Sequence, residues 1–207
     1  DLASFWRRKF PIPVVAVTGS NGKPTPKDLI AALLAKRLRV LKTEGNFNNL
    51  IGLPLTLFRM DQTTEVAVLE MGMNRAGEID RLAEMAQPQV GVITNVARAH
   101  LEGLGSRSQG ARAKAELLPH IPKEGLAVLN ADDPSLERLK KRVRSRLVTF
   151  GCARSADLRL LSSQTEDLRG ISFSTQLAGR RVSFRMPVLG RPNVANAIAA
   201  LAVADHF

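Results

Sequence analysis

The sequence predicts a three-layer α/β fold, in which helices cover both faces of a mainly parallel β-sheet. Short β-branched apolar runs alternate with helical segments along most of the chain. The first of these runs leads into a glycine-rich, P-loop-like turn, and the alternation gives way to a period-two pattern near the C-terminus. Apolar strands that alternate with helices are typical of parallel sheets, because each crossover places a helix on a face of the sheet.

The first element is a strand over "PVVAVTG", a β-branched run that ends in glycine at residues 13–19. The helix that follows, at residues 26–38, carries Leu29, Leu33, Leu34 and Leu38 on one stripe. The same two patterns recur down the chain. Further strands are predicted at residues 65–72, 90–96, 125–130 and 146–150, and further helices at residues 76–86, 109–118 and 134–143.

The C-terminal part changes period. Between Asp157 and Pro187 apolar and polar residues alternate, and "ISFSTQLAGRRVSFRMP" predicts an antiparallel hairpin that turns at Gly179. A last helix is predicted from Pro192 to the end of the chain. We therefore expect a single domain over residues 1–207, with residues 157–187 as a small β-rich subregion.

Composition excludes several classes of protein. No run of 18 apolar residues occurs in the 207-residue chain, so no membrane span is expected. The N-terminal "DLASFWRRKF" lacks the apolar core of a signal peptide. Cys152 is the only cysteine, so no internal disulfide can form, which fits a reducing compartment. We expect a cytoplasmic monomer.

The net charge of +11 raises the question of nucleic-acid binding. Aromatic residues make up only 4% of the chain and tyrosine is absent, so stacking platforms for single strands are scarce. A solvated basic surface is the favoured alternative, and part of the charge also suits an anionic, nucleotide-linked substrate. The densest basic run falls near a predicted helix end and comprises Lys140, Lys141, Arg142, Arg144 and Arg146.

Four polar segments follow predicted strands, at the edge where open α/β sheets bind ligands. Each has a plain structural interpretation: Glu70 as a solvated strand end, His100 as a capping or packing residue, and "NADDP" as a helix cap. Their coincidence with a glycine-rich loop favours a nucleotide and metal site, although the GxxGK spacing is shorter than that of the usual P-loop. The segments are residues 19–23, 70–74, 95–102 and 130–134.

Six motifs, in order, resemble the central ATP-binding domain of the Mur ligases, and in particular the members that add D-alanyl-D-alanine. They are "VTGSNGK", "KTEGNFNNLIGLPLTL", "EMGMNRAGEID", "ITNVARAHLEGLGS", "ARAKAELL" and "VLNADDP". The resemblance implies that ATP, with Mg²⁺, phosphorylates the carboxylate of a UDP-N-acetylmuramoyl-tripeptide, and that D-alanyl-D-alanine attacks the acyl phosphate. The family's N-terminal UDP-sugar domain and C-terminal domain do not fit in this chain, so we expect an excised central domain or a truncated product.

The resemblance also implies site residues. Catalytic roles fall to Lys23, Lys114 and His100, and metal ligation to Glu70, His100 and Lys114, the lysine as a carbamate. Substrate contacts fall to Thr43, Asn48 and Asn49. ATP contacts fall to Gly19, Ser20, Asn21, Gly22, Lys23, Thr25 and Asn196.

The chain departs from the family where threonine usually follows the loop lysine. Pro24 offers neither a hydroxyl for magnesium nor an N–H for phosphate, and a proline disfavours helical backbone at the preceding Lys23. We expect the loop to keep its shape and lose most of its function. A catalytically dead remnant or weak nucleotide-binding module is the alternative to a ligase core, and a basic nucleic-acid-binding domain the less favoured one. The other departures are Pro26, Arg75, Arg98 and Pro192.

Overall fold

A nine-stranded sheet forms the centre of the molecule, in the order β2-β3-β1-β4-β5-β6-β7-β8-β9. A computed structural model describes residues 2–96, 107–166, 170–177, 179–188 and 190–207. The strands from β2 to β7 are parallel neighbours, and β7, β8 and β9 pair antiparallel. The strands are β1 Val14–Thr18, β2 Val40–Lys42, β3 Val66–Glu70, β4 Val90–Ile93, β5 Leu126–Asn130, β6 Arg146–Gly151, β7 Leu158–Thr165, β8 Ile171–Leu177 and β9 Arg180–Met186.

Helices cover both faces of this sheet, which confirms the predicted three-layer fold. Helices α2 and α7 pack together on one face, and the other helices cover the opposite face. The helices are α1 Leu2–Arg8, α2 Pro24–Leu34, α3 Gly52–Leu57, α4 Glu78–Ala86, α5 Arg107–Lys114, α6 Pro134–Glu137 and α7 Arg191–Ala204, with 3₁₀ helices at Ala115–His120 and Lys140–Arg142.

Strand β1 lies at the centre of the core, and all five of its residues are buried. Val15 and Val17 pack with α2 and α7, whereas Val14 and Ala16 pack on the opposite face. This alternation follows from the two-residue period of a strand, and both faces are apolar because both are covered. The carboxyl end of β1 therefore delivers the glycine loop to the sheet edge from a rigid support.

Two predicted helices are interrupted. The helix expected at residues 109–118 is α5 followed by a 3₁₀ helix, because Pro119 lacks an amide and disfavours α-helical backbone at Leu118. The helix expected at residues 134–143 is α6 followed by a 3₁₀ turn. Leu136 and Leu139 are its buried residues, and their spacing of three matches the 3₁₀ period.

Other boundaries moved by a few residues. Helix α2 begins at Pro24, two residues earlier than predicted, and α4 begins at Glu78 because Gly77 has a left-handed φ of 88°. The hairpin at Gly179 is confirmed: β8 and β9 pair in register from Leu177 and Arg180, and Gly179 has a φ of 76°. Within the described ranges, no helix is long and apolar enough to cross a membrane.

Candidate functional site

The glycine loop between β1 and α2 is fastened to the end of β4 by Asn95. The amide of Ser20 donates to the backbone carbonyl of Asn95 at 3.0 Å, and the amide of Asn21 donates to its side-chain Oδ1 at 3.1 Å. The Nδ2 of Asn95 donates in return to the carbonyl of Asn21 at 2.9 Å. Two of the loop amides expected to cradle phosphates are therefore bound to Asn95, which sequence reasoning did not single out individually.

Gly19 and Gly22 of the loop are required for different structural reasons. A Cβ on Gly19 would collide with Oγ1 of Thr94, so only glycine lets β1 and β4 approach at this point. Gly22 has a φ of 69°, in the left-handed region that side chains disfavour. The loop keeps the shape that its glycines predict, and it joins the first core strand to a helix despite the prolines.

The expectation that Pro24 displaces Lys23 from helical backbone is wrong. Lys23 has φ −55° and ψ −39° and serves as the N-cap of α2, with Pro24 in the first turn. Proline fits there because first-turn amides have no intrahelical partner and its φ is already helical. The Nζ of Lys23 turns back to the carbonyl of Gly19, at 3.1 Å, and so remains beside the loop.

Few amides remain for an anion. Pro24 and Pro26 carry no N–H, so only Thr25 supplies a donor among the first three residues of α2. The amides of Gly22, Lys23 and Thr25 make no hydrogen bond to any described residue. The turn therefore offers these three amides to an anion. That is two N–H donors fewer than it would offer if threonine stood at positions 24 and 26.

Glu70, at the end of β3, is a buried carboxylate in which one oxygen is hydrogen-bonded and the other is not. Its Oε1 accepts a hydrogen bond of 2.7 Å from the side-chain amide of Asn48, while Oε2 is buried without a partner among the described residues. An unpaired buried carboxylate oxygen is costly, so the arrangement fits a cation that completes it. Glu70 therefore fits the magnesium role that the resemblance implies.

A second chain of contacts ties Glu70 to α2. The backbone amide of Glu70 donates to Oγ1 of Thr43 at 2.9 Å, and the carbonyl of Thr43 accepts from Nζ of Lys27 at 2.9 Å. Both Thr43 and Lys27 are buried. Thr43, predicted to contact substrate, thus has a positioning task that only long-range pairing reveals. Lys27 was missed, because a lysine on a helix ordinarily faces solvent.

Lys114 ends α5 with its side chain almost fully buried, at 2% exposure. Burial, together with repulsion from the charge of Lys23, lowers the pKa of its ammonium to about 8. The charge of Lys23, at the end of the glycine loop, therefore acts on the amine of Lys114 at the end of α5. An amine that is partly neutral near pH 8 can react with CO₂, so Lys114 fits the carbamate that the resemblance implies.

A cavity of about 360 Å³ opens beside the loop lysine. Asn48 and Asn49, both predicted to contact substrate, line it together with Lys23 and Glu78. Asn49 has a structural task as well, because its Oδ1 accepts from the amides of residues 51 and 52 at the start of α3. The cavity is of the size that holds small ligands.

The other residues singled out by the sequence lie on α7, at the start of α6, or outside the described residues. Asn196 lies half-buried on α7, which packs against α2. In "NADDP", Asp133 caps α6 by accepting from the amide of Ser135 at 2.9 Å, so the plain cap interpretation holds for that carboxylate. His100 and Arg98 lie outside the described residues. Within the part of the chain that is described, no group of three or more His, Cys, Asp or Glu side chains could hold a metal.

This geometry defines the class of protein as a nucleotide-binding α/β domain with a P-loop-like turn at its sheet edge. The chain belongs to the Mur ligase family, whose middle domain matches residues 17–204. The UDP-N-acetylmuramoyl-tripeptide–D-alanyl-D-alanine ligase of Bacillus subtilis is 42% identical over 100% of this chain and 44% of its own length. The enzyme of the same name from Escherichia coli is 36% identical over 98% of this chain and 45% of its own length.

Solved structures agree. A MurF crystal structure from Acinetobacter baumannii matches 97% of this chain and 44% of its own, with a TM-score of 0.92 and 30% identity. MurF from Thermotoga maritima in complex with ADP matches 98% of this chain and 47% of its own, with a TM-score of 0.89 and 32% identity. The chain thus spans a little under half the length of these relatives and corresponds to the ATP-binding middle domain of MurF-like ligases.

Proposed function

We propose that this chain is the nucleotide-binding core of a ligase that joins D-alanyl-D-alanine to a UDP-N-acetylmuramoyl-tripeptide through an acyl phosphate. The names of its relatives supply the two substrates. The observation that carries the proposal is the unpartnered, buried Oε2 of Glu70, set at the sheet edge that also holds the glycine loop. A phosphoryl-transfer site needs charge neutralisation and positioning more than covalent chemistry, and this edge offers both.

Each residue has a defined task. The Gly22, Lys23 and Thr25 amides and the Lys23 ammonium bind phosphate oxygens. Glu70, held by Asn48, would ligate magnesium together with a carbamylated Lys114 and His100. Magnesium, when bound, would neutralise charge on the phosphates. The cavity beside Lys23 would place the tripeptide carboxylate within reach of the nucleotide, and Asn196 would contact adenine.

Pro24 and Pro26 are expected to weaken nucleotide binding by this site. Pro24 lacks the hydroxyl and the backbone N–H that threonine supplies at this position in the family. Losing one hydrogen bond to a charged group costs roughly 1.5–3 kcal/mol, or about ten- to a hundredfold in affinity. We therefore propose weak binding of ADP or phosphate and impaired binding of MgATP. Ligation also needs the domain closure that completes such sites, so the chain alone is expected to be inactive.

The test is calorimetric titration of ADP and ATP, each with and without Mg²⁺, against the chain and its Lys23→Ala variant. Detectable ADP binding that disappears in Lys23→Ala supports the proposal. ADP binding that is unaffected by Lys23→Ala would place the nucleotide elsewhere and refute it. Incubation with ¹³C-labelled bicarbonate, followed by ¹³C NMR, tests the carbamate: a carbamate signal is expected, and it must vanish in Lys114→Met.

A further inference from the structure

A second pocket, remote from the glycine loop in sequence, lies between α5, α6 and the 3₁₀ helix that follows α6. It has a volume of about 440 Å³. Three arginines from three different elements line it: Arg112 on α5, Arg138 just after α6, and Arg142 on the 3₁₀ helix. Ser135 and Leu139 also contribute to the lining. We call this cavity the arginine pocket.

The arginine pocket has no carboxylate among its lining residues. Within the described residues, Arg112, Arg138 and Arg142 form no ion pair. The acidic residues nearest in sequence make other contacts. Glu116, four residues after Arg112, accepts from the amides of Gly77 and Asp80. Glu137 binds Lys140 at 2.7 Å, and Asp133 is buried and accepts from backbone amides.

Three exposed arginines that line one cavity without an ion pair give it a positive charge, which a bound anion would neutralise. Arginine is suited to phosphate because its planar group donates two parallel hydrogen bonds. The combined charge of three matches a ligand with two or more phosphoryl charges better than a single carboxylate. The volume exceeds what one phosphate needs and falls in the range of small-ligand sites.

We propose that the arginine pocket binds a small diphosphate-bearing ligand, at a site separate from the glycine loop. The arginine pocket shares no lining residue with the cavity beside Lys23, and Arg112 is exposed whereas Lys114, two residues later, is buried. Residues two apart on a helix point in nearly opposite directions. The site also accounts for part of the basic run near the end of α6, which the proposed ligase chemistry leaves unused.

Inorganic pyrophosphate, titrated in magnesium-free buffer at fixed ionic strength, is the probe. Every protein carries Lys23→Ala to remove the loop site, so failure of the ligase proposal and failure of this one are separable. In that background one equivalent of pyrophosphate is expected to bind. Arg138→Ala/Arg142→Ala should weaken binding by about tenfold or more, because two charge-assisted contacts are lost.

The matched control is Lys141→Ala/Arg144→Ala, which removes the same charge from exposed positions outside the pocket lining. It should weaken pyrophosphate binding by no more than about threefold. Arg138→Lys/Arg142→Lys keeps the charge and loses the paired donors, so an intermediate affinity is expected. Unchanged thermal unfolding of each variant confirms that the effects are local.

Two results with pyrophosphate would overturn the proposal. One is the absence of pyrophosphate binding in the Lys23→Ala background. The other is an equal loss in both double-alanine variants, which would mean a diffuse basic surface. A short DNA duplex is titrated in parallel over a salt series. Tight, steeply salt-dependent DNA binding that both double variants weaken equally would also replace the pocket with a nucleic-acid surface.

Discussion

The side-chain amide of Asn48 donates a 2.7 Å hydrogen bond to Oε1 of Glu70 and leaves Oε2 of the same carboxylate buried without a partner among the described residues. The carbonyl of Asn48 also accepts from the amide of Gly72, at 2.7 Å, so Asn48 is fixed at two points. A Cβ on Gly72 would press against the Asn48 side chain. This close packing holds Oε1 in place and leaves Oε2 free to act as the magnesium ligand that we propose.

Glu70→Gln is expected to remove the effect of Mg²⁺ on nucleotide affinity. Glutamine keeps the shape and the bond to Asn48 but offers a neutral, weaker ligand, so the magnesium-dependent gain in ADP affinity should fall by about tenfold. Affinity without Mg²⁺ should be unchanged. Calorimetry of ADP with and without Mg²⁺ measures both. Glu44→Gln, at an exposed carboxylate paired with Arg59, is the control and should have no effect.

Strands β1, β3, β4 and β5 could be predicted from sequence because each is a short, continuous apolar run that is almost wholly buried. Strand β2, three residues long, and α3, six residues long, were not predicted, since neither is long enough to show a period. The candidate site was found in part through its glycine loop and Glu70. The contacts of Lys27 and Asn95 were not, because they join segments 16 and 74 residues apart and leave no local pattern.

Gly19→Ala tests the close approach of β1 and β4. The new Cβ would overlap Oγ1 of buried Thr94, so the free energy of unfolding should fall by about 1–3 kcal/mol, as in other overpacked cores. Thr94→Ala makes room, and the double variant should recover part of the loss. Thr94→Val keeps the branched volume and should not rescue. Urea unfolding of the single and double variants gives the coupling, and simple additivity would contradict the overlap.

Lys114→Met should stabilise the chain at neutral pH. Burial lowers the pKa of Lys114 from 10.5 to about 8 in the folded state, so the unfolded chain holds more protons between these values. The stability of the parent therefore rises as pH increases from about 8 to 10.5, and below pH 8 the full cost of burying the charge remains. At about 1.4 kcal/mol per pKa unit, that cost is on the order of 3 kcal/mol.

The measurement is urea unfolding of parent and Lys114→Met in CO₂-free buffers at several pH values. The methionine variant should be more stable near pH 7, by an amount that shrinks toward pH 10.5. Lys36→Met, at an exposed lysine, should show a difference that does not depend on pH. A Lys114→Met variant that is less stable at every pH would show that the buried ammonium is compensated.

Pro24→Thr should strengthen MgATP binding more than Pro26→Thr does. Threonine at 24 restores both a hydroxyl for magnesium and an amide at the first position of α2, immediately after the Lys23 cap. Threonine at 26 restores one amide only at the third position, where the side chain is buried. Because Lys23 already has helical backbone, neither change has to rebuild the loop. The gain at position 24 should be about ten- to a hundredfold.

Titration of MgATP into the parent, Pro24→Thr and Pro26→Thr proteins shows which substitution strengthens binding more. ADP without magnesium is the internal comparison: Pro24→Thr should improve it less, because only the amide then contributes. Asn95→Ala frees the Asn21 amide from the side-chain Oδ1, whereas the Ser20 amide keeps the backbone carbonyl of residue 95, so this variant separates a shortage of donors from a missing metal ligand. Equal and tight MgATP binding by the parent and both threonine variants would show that the hydroxyl and amide at position 24 are dispensable.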